Sequence, residues 1–292
     1  MRPVLEQALA CPQCHQPISA GDLHCGQCDL TFPVLDGIPA LLVPDHPMLK
    51  EAQSRDRKTN GKGAGGIRQR MWAARPEDRM WSGASRRAVS RALVEAEADD
   101  PKRLVVNLGA GVERIFVDSL TGKAAVSRVG LPHIGTVDLF GDVMQFPLRD
   151  GSVDLFLSSS VMEHVTDPEL GIAEMSRVIR PGGLVYAEIP FIRSYHMEPQ
   201  DFQRYTISGI EALFARHDFE LVDKGVCSGP FTAIALIIGD MANAFLKGRY
   251  SSLLVPMVYW LVHPLKYLDR LVEGRSAAEF QACNFYYLGR RI

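Results

Sequence analysis

Residues 152–191 read SVDLFLSSSVMEHVTDPELGIAEMSRVIRPGGLVYAEIPF, and this run decides the fold. It divides into an apolar strand around residues 155–158, a helix over 166–179, a glycine turn at Arg180-Pro181-Gly182-Gly183, and a second apolar strand reaching Phe191. Strands that are apolar on both faces belong in a parallel sheet covered by helices, and the helix between these two supplies one cover. The expected class is therefore α/β.

Composition sets the outer bounds. The chain has 292 residues, of which 47% are hydrophobic and 8% aromatic, enough for one full α/β core and a small extra module. A formal net charge of −2 argues against a protein whose whole surface grips nucleic acid. No charged segment followed by an apolar stretch and a small-residue cleavage site opens the sequence, so a reducing, cytoplasmic setting is expected.

Upstream of the deciding run, residues 103–108 form a short apolar stretch leading into Gly109-Ala110-Gly111, where glycines let the backbone turn tightly and approach a ligand. Gly141-Asp142 and FPLRDGSVDLF follow. In this order, the glycine turn, the Gly-Asp pair, SSSVMEHV and RVIRPGG resemble the class I S-adenosylmethionine-dependent methyltransferases, of the type 11-like kind. The likeness spans about residues 103–223. It implies a Rossmann-like, doubly wound, seven-stranded sheet with the cofactor S-adenosylmethionine at the carboxyl ends of the central strands. By that resemblance Asn107, Gly109, Ala110, Gly111 and Ser158 line the cofactor, while Asp142 and Val143 hold the adenine. Two positions depart from the family. Asn107 stands where an acid is usual, and the second strand offers Gly130 where a ribose-binding acid belongs, leaving Asp118 and Asp138 as substitutes.

The six cysteines read as a metal site plus two packing residues. Cys11-Pro-Gln-Cys14 and Cys25-Gly-Gln-Cys28 are paired knuckles whose four thiolates suit a closed, structural Zn²⁺ shell. His15 and His24 flank them and are expected to face solvent, with replacement of a thiolate by either ring as the alternative. The next residues, LTFPVLDGIPALL, read as strand, turn at Asp36-Gly37, strand. Knuckles and hairpin together resemble the small zinc-ribbon proteins that activate methyltransferases. The expected organisation is a zinc ribbon at 1–44, a basic linker at 45–80, and a methyltransferase domain at 81–292 with an apolar helical insertion at 231–271.

The linker carries Arg55, Arg57, Lys58, Lys62, Arg68 and Arg70 around NGKGAGG. Trp72 and Trp81 open an amphipathic stretch expected to pack over the cofactor entrance or the sheet edge. In the insertion, Asp240, Lys247, Arg249, Pro256 and His263 interrupt both apolar runs, so two lid helices are expected rather than a bilayer span, with peripheral membrane contact left open. NFYYLGRR reads as a last strand returning to the sheet.

Methyl transfer is an in-line displacement, so the protein aligns the acceptor and, for a hydroxyl, supplies a base. After Phe191 comes IRSYHMEPQDFQRYT, dense in titratable residues at the carboxyl edge where an acceptor must enter. It resembles a bacterial methyltransferase subgroup with YH, P-x-DF and R-(F/Y)-T in this loop. His196 is the candidate base, Tyr195 and Arg204 orient the acceptor, and Asp201 holds His196 or Arg204. A plain Asp201–Arg204 ion pair with Phe202 and Tyr205 in the core is the structural alternative. Glu163-His164 faces the same site or starts a helix.

No N-P-P-Y-like tetrapeptide follows the strand at Leu155, and no cysteine occupies the site loops, which argues against adenine amine and pyrimidine carbon targets. The expected acceptor is an oxygen or nitrogen of a small molecule, saccharide or lipid-linked compound. An RNA methyltransferase using ribbon and linker, and a cofactor-poor binding partner, are the competing readings.

Overall fold

The computed structural model describes residues 1–49, 81–109, 126–130, 137–196, 200–246 and 251–292. The expected linker centre, Ala110, Gly111 and Asp118 lie outside the described residues.

The amino-terminal module starts with α1 (Pro3–Ala8) and continues through two small hairpins. β1 (His24–Cys25) pairs β2 (Leu30–Thr31), and β3 (Val34–Leu35) pairs β4 (Ile38–Pro39), both antiparallel. The second hairpin turns at Asp36 and Gly37, with φ of 51° and 81°, as the sequence led one to expect.

The main sheet comprises β5 (Val105–Leu108), β6 (Val126–Gly130), β7 (Leu139–Phe140), β8 (Val153–Ser159), β9 (Ile179–Pro190), β10 (Phe219–Ser228) and β11 (Asn284–Arg291). Its order is β10-β11-β9-β8-β5-β6-β7, with seven strands. β5 to β9 are mutually parallel, while β11 inserts antiparallel between β9 and β10. The returning last strand is thus confirmed, and it lies inside the sheet.

Side chains alternate faces along each strand, as the two-residue period of a strand requires. Val105, Leu155, Leu157, Leu184 and Tyr186 meet α2 (Gly83–Glu95) through Ala88, Val89 and Ala92. Val106, Phe156, Val185 and Ala187 face the other way, against α3 (Pro168–Val178) and α4 (Ile207–Ala215). α3 begins where Asp167 accepts from the Leu170 amide at 3.1 Å and Pro168 presets the first turn. Its Ile172, Met175 and Val178 recur at helical spacing and are fully buried, so Met175→Ala would cost about 2–5 kcal/mol.

One expectation changes. Arg180 to Gly183 is not a free turn: it sits within β9, where the register against β8 shifts between Val153 and Leu155. Gly182 at φ 77° takes up the irregularity. The helix following Trp81 lies against β9, β10 and β11 at the β10 end of the sheet, the second of its two expected places. The ribbon packs onto the main core. Its Leu5, Leu9, Cys11, Phe32 and Leu41 belong to the same core as Leu139, Phe146 and Leu148. Backbone bonds from Ala10 N to Pro147 O (3.0 Å), Arg149 N to Ala8 O (2.8 Å) and Leu41 N to Phe140 O (3.0 Å) fix the ribbon along the β7 edge.

Beyond β10, α5 (Pro230–Phe245) and α6 (Ser251–Val262) pack against each other through Ala233, Leu236, Val255 and Tyr259, with Ile192 of the loop after β9 touching the same cluster. The expected pair of helices is present beside the loop after β9. Among the described residues, no helix is long and apolar enough to cross a membrane.

Candidate cofactor and acceptor site

β5 and β8 are neighbours in the sheet although β6 and β7 intervene in the chain, so the crevice beyond their carboxyl ends is the switch point where doubly wound sheets bind ligands. Asn107 pairs with Leu157 and Leu108 with Ser158, bringing the ends of both strands to one edge. Gly109 follows at φ 68°, and a Cβ placed on it would lie 2.4 Å from Cγ2 of Val161. Glycine is demanded there by both conformation and space. The Ser158 hydroxyl is buried with no hydrogen-bond partner among the described residues.

At the end of β7, Asp142 accepts from the Met144 amide at 3.0 Å, and its other oxygen lies 3.1 Å from Nε2 of His46. Val143 beside it is buried and packs near Gly171. A backbone that admits no Cβ, a buried hydroxyl without a partner and a carboxylate at the edge fit an adenosyl cofactor. The ribose acid is not found among the described residues, since β6 ends at Gly130 and Asp138 precedes β7 at the opposite edge.

The loop after β9 is organised around Asp201. Its Oδ2 accepts from the His196 amide at 2.9 Å and from Arg204 at 2.6 Å, while Oδ1 takes a second guanidinium hydrogen bond. Asp201 therefore holds both residues, and the expected choice between them does not arise. Burial pushes the Asp201 carboxyl up, but the Arg204 fork and the His196 amide outweigh it and leave its pKa below the ordinary value. Arg204 is raised by the same bond. Burial, then the charge of Arg193, lowers the His196 pKa. Tyr195 is 69% exposed and stands apart from this group, and Phe202 is exposed rather than in the core.

The loop is stitched to the turn after β8. Phe202 N donates to Glu163 O at 2.8 Å, and Gln203 Nε2 donates to the carbonyls of Met162 (2.8 Å) and Val165 (2.7 Å). The short 3-10 turn Met162–His164 thereby presents a fully buried Glu163 and the His164 ring beside His196. The EH pair gave a sequence signal for these two residues. His46 gave none, because it lies 96 positions from Asp142.

In the ribbon, Cys11, Cys14, Cys25 and Cys28 offer sulfurs within 4.8 Å of one another, with Cys14 and Cys25 sulfurs 3.5 Å apart. Thiolates on one tetrahedral Zn²⁺ at about 2.3 Å sit about 3.8 Å apart, so the set fits that ion. His24 is exposed and bonds Thr31, outside the cluster. Cys227 and Cys283 are buried and lie outside this cluster.

Parallel strands in the order found, with one antiparallel strand inserted next to the last, form the sheet expected of the class I S-adenosylmethionine-dependent methyltransferases. Residues 121–187 of the chain match the methyltransferase domain family. An uncharacterized methyltransferase of Mycobacterium tuberculosis is 34% identical over 96 residues, 33% of this chain and 38% of that protein. The demethylmenaquinone methyltransferase of Beutenbergia cavernae is 32% identical over 124 residues, 38% of this chain and 48% of that one. The chain thus spans between 38% and 48% of the length of these relatives. Among solved structures, a putative sarcosine dimethylglycine methyltransferase from Galdieria sulphuraria is similar at a TM-score of 0.47 and 13% identity, over 76% of this chain and 95% of that one.

Proposed function

We propose that the chain transfers the sulfonium methyl of S-adenosylmethionine to an oxygen or nitrogen of a small-molecule, saccharide or lipid-linked acceptor. The observation that carries this reading is the meeting of the β9 loop with the turn after β8, at the carboxyl edge beside the crevice of Asn107, Gly109 and Ser158. When bound, the cofactor supplies a methyl on a positively charged sulfur, open to in-line displacement. The chain's part is to place the acceptor: Asp201 fixes the His196 backbone and the Arg204 fork, so that the imidazole and guanidinium hold the acceptor in line. Asp142 and Val143 read the adenine, and Ser158 and Asn107 line the crevice.

The exposed side chains Ile234, Ile238, Met241 and Phe245 recur along one face of α5, and Leu253, Met257, Trp260 and Leu261 continue the apolar surface on α6. That surface supports an apolar or lipid-linked acceptor and peripheral membrane contact. A relative named for demethylmenaquinone points the same way. Four closely set thiols support a structural Zn²⁺ in the ribbon. A division into ribbon (1–44), linker (45–80) and catalytic domain (81–292) completes the proposal.

Titration calorimetry of the full chain with S-adenosylmethionine tests the reading. Binding in the micromolar range is expected, and no binding at millimolar cofactor would favour a non-catalytic partner instead. Transfer of labelled methyl to a panel of quinones, lipid-linked saccharides and RNA then separates the acceptors, and RNA as the sole product would overturn the acceptor class proposed.

A further inference from the structure

Two imidazoles and a carboxylate converge where the turn after β8 meets the loop after β9. Oε1 of Glu163 lies 3.8 Å from Nε2 of His164 and 4.0 Å from Nε2 of His196. One ligand atom from each of the three residues lies within 4.8 Å of the others. The rings meet edge-on, 5.0 Å between centroids and 89° between planes. These nitrogen–oxygen separations are too long for hydrogen bonds.

The other nitrogen of each ring is already engaged. Nδ1 of His164 bonds the Gln200 carbonyl, and Nδ1 of His196 lies 3.3 Å from the Ser194 carbonyl and 3.3 Å from the Asp201 carboxylate. Carbonyls and carboxylates only accept, so each neutral ring carries its hydrogen on Nδ1 and keeps a lone pair on Nε2. Two lone pairs and a carboxylate of 0% exposure thus stand around one point. Metal-ligating histidines characteristically show this pattern, in which the distal nitrogen is fixed by a carbonyl or carboxylate.

We propose that Glu163 Oε1, His164 Nε2 and His196 Nε2 bind one divalent transition-metal ion, in a site separate from the ribbon thiols and open to the acceptor. Imidazole nitrogens bond such ions at about 2.1 Å, which places tetrahedral neighbours about 3.4 Å apart, so the separations of 3.8 and 4.0 Å to Glu163 shorten by roughly half an ångström on binding. The donor set of two histidines and one carboxylate leaves coordination positions free. Both arms are held in place beforehand: Gln203 clamps the Met162 and Val165 carbonyls, and Arg204 holds Asp201 behind His196.

The inference rests on the methyltransferase reading and makes His196 a ligand in place of the base expected from sequence. An acceptor hydroxyl in a free position is made more acidic by the ion. Its proton leaves to solvent, its oxygen bonds the sulfonium methyl, and the electron pair of the broken carbon–sulfur bond stays on sulfur.

The test uses the full chain with its ribbon loaded with one equivalent of zinc, titrated with cobalt(II) and followed by visible absorption. One further equivalent is expected to bind, with weak ligand-field bands and no thiolate charge-transfer band. His164→Gln and His196→Ala should each weaken that uptake about tenfold or more while S-adenosylmethionine affinity, measured on the same samples, stays within about twofold. No second equivalent at millimolar cobalt, or equal uptake by both variants, overturns the site. Loss of cofactor binding in the unsubstituted chain is a separate result, and it bears on the methyltransferase reading alone.

Discussion

His46 Nε2 stands 3.1 Å from Asp142 Oδ2, and this contact ties the segment after the ribbon to the carboxylate proposed to read adenine. Its tautomer is set locally, because His46 Nδ1 accepts from the Met48 amide at 3.2 Å, which leaves Nε2 to donate. Both side chains are largely buried, 11% and 12% exposed, so water competes weakly for the bond.

From that contact, His46→Ala should weaken S-adenosylmethionine binding by about 0.5–1.5 kcal/mol through a less well held Asp142, a fraction of the roughly 1.5–3 kcal/mol of a hydrogen bond to a charged group. Asp142→Ala removes the acceptor itself and should cost about 1–3 kcal/mol. Calorimetry on both variants settles the order. Equal affinity in His46→Ala and the unsubstituted chain would show that the ribbon tail does not support the adenine site.

Gly109→Val should abolish measurable cofactor binding, since the new side chain collides with Val161 and the backbone stays at φ 68°, a conformation costing about 1–2 kcal/mol for a residue with a Cβ. Gly109→Ala with Val161→Ala relieves the collision but not the backbone strain. It should recover part of the affinity, and full affinity in Gly109→Val would remove the basis for a cofactor crevice here.

Elemental analysis of the full chain should give about one zinc for the four ribbon thiolates. Cys11→Ser with Cys14→Ser should lose it, whereas Cys227→Ser should not. Because Cys11 and Cys25 belong to the core that also holds Leu139 and Phe146, zinc removal should lower the melting temperature of the whole chain. A melting curve unchanged by chelation, with zinc verified absent, contradicts this.

Arg204→Lys keeps the charge but loses the two-pronged bond to Asp201. Turnover should fall roughly tenfold or more with cofactor affinity retained, as expected of a residue that positions the acceptor rather than the cofactor. His196→Ala should fall further, by about 10²-fold. Normal turnover in both would return the loop to a purely structural role.

Much of this was legible in the order of the residues. The β8, α3, β9 unit, the paired knuckles and the turn at Asp36-Gly37 are local: strand alternation, helical spacing and two-residue gaps act over a few positions, so the chain writes them out directly. Asp201 and Arg204 lie three apart, and their bond was readable for the same reason. Tertiary structure decided the rest. The glycine turn after α3 became a bulge because β9 must stay paired with β8 on one side and β11 on the other. His46 met Asp142 because the ribbon docks along β7, and Glu163, His164 and His196 converged because β8 and β9 end side by side. Such meetings depend on which strands the whole core selects as neighbours, a choice made by burial summed over the sheet and carried by no local pattern.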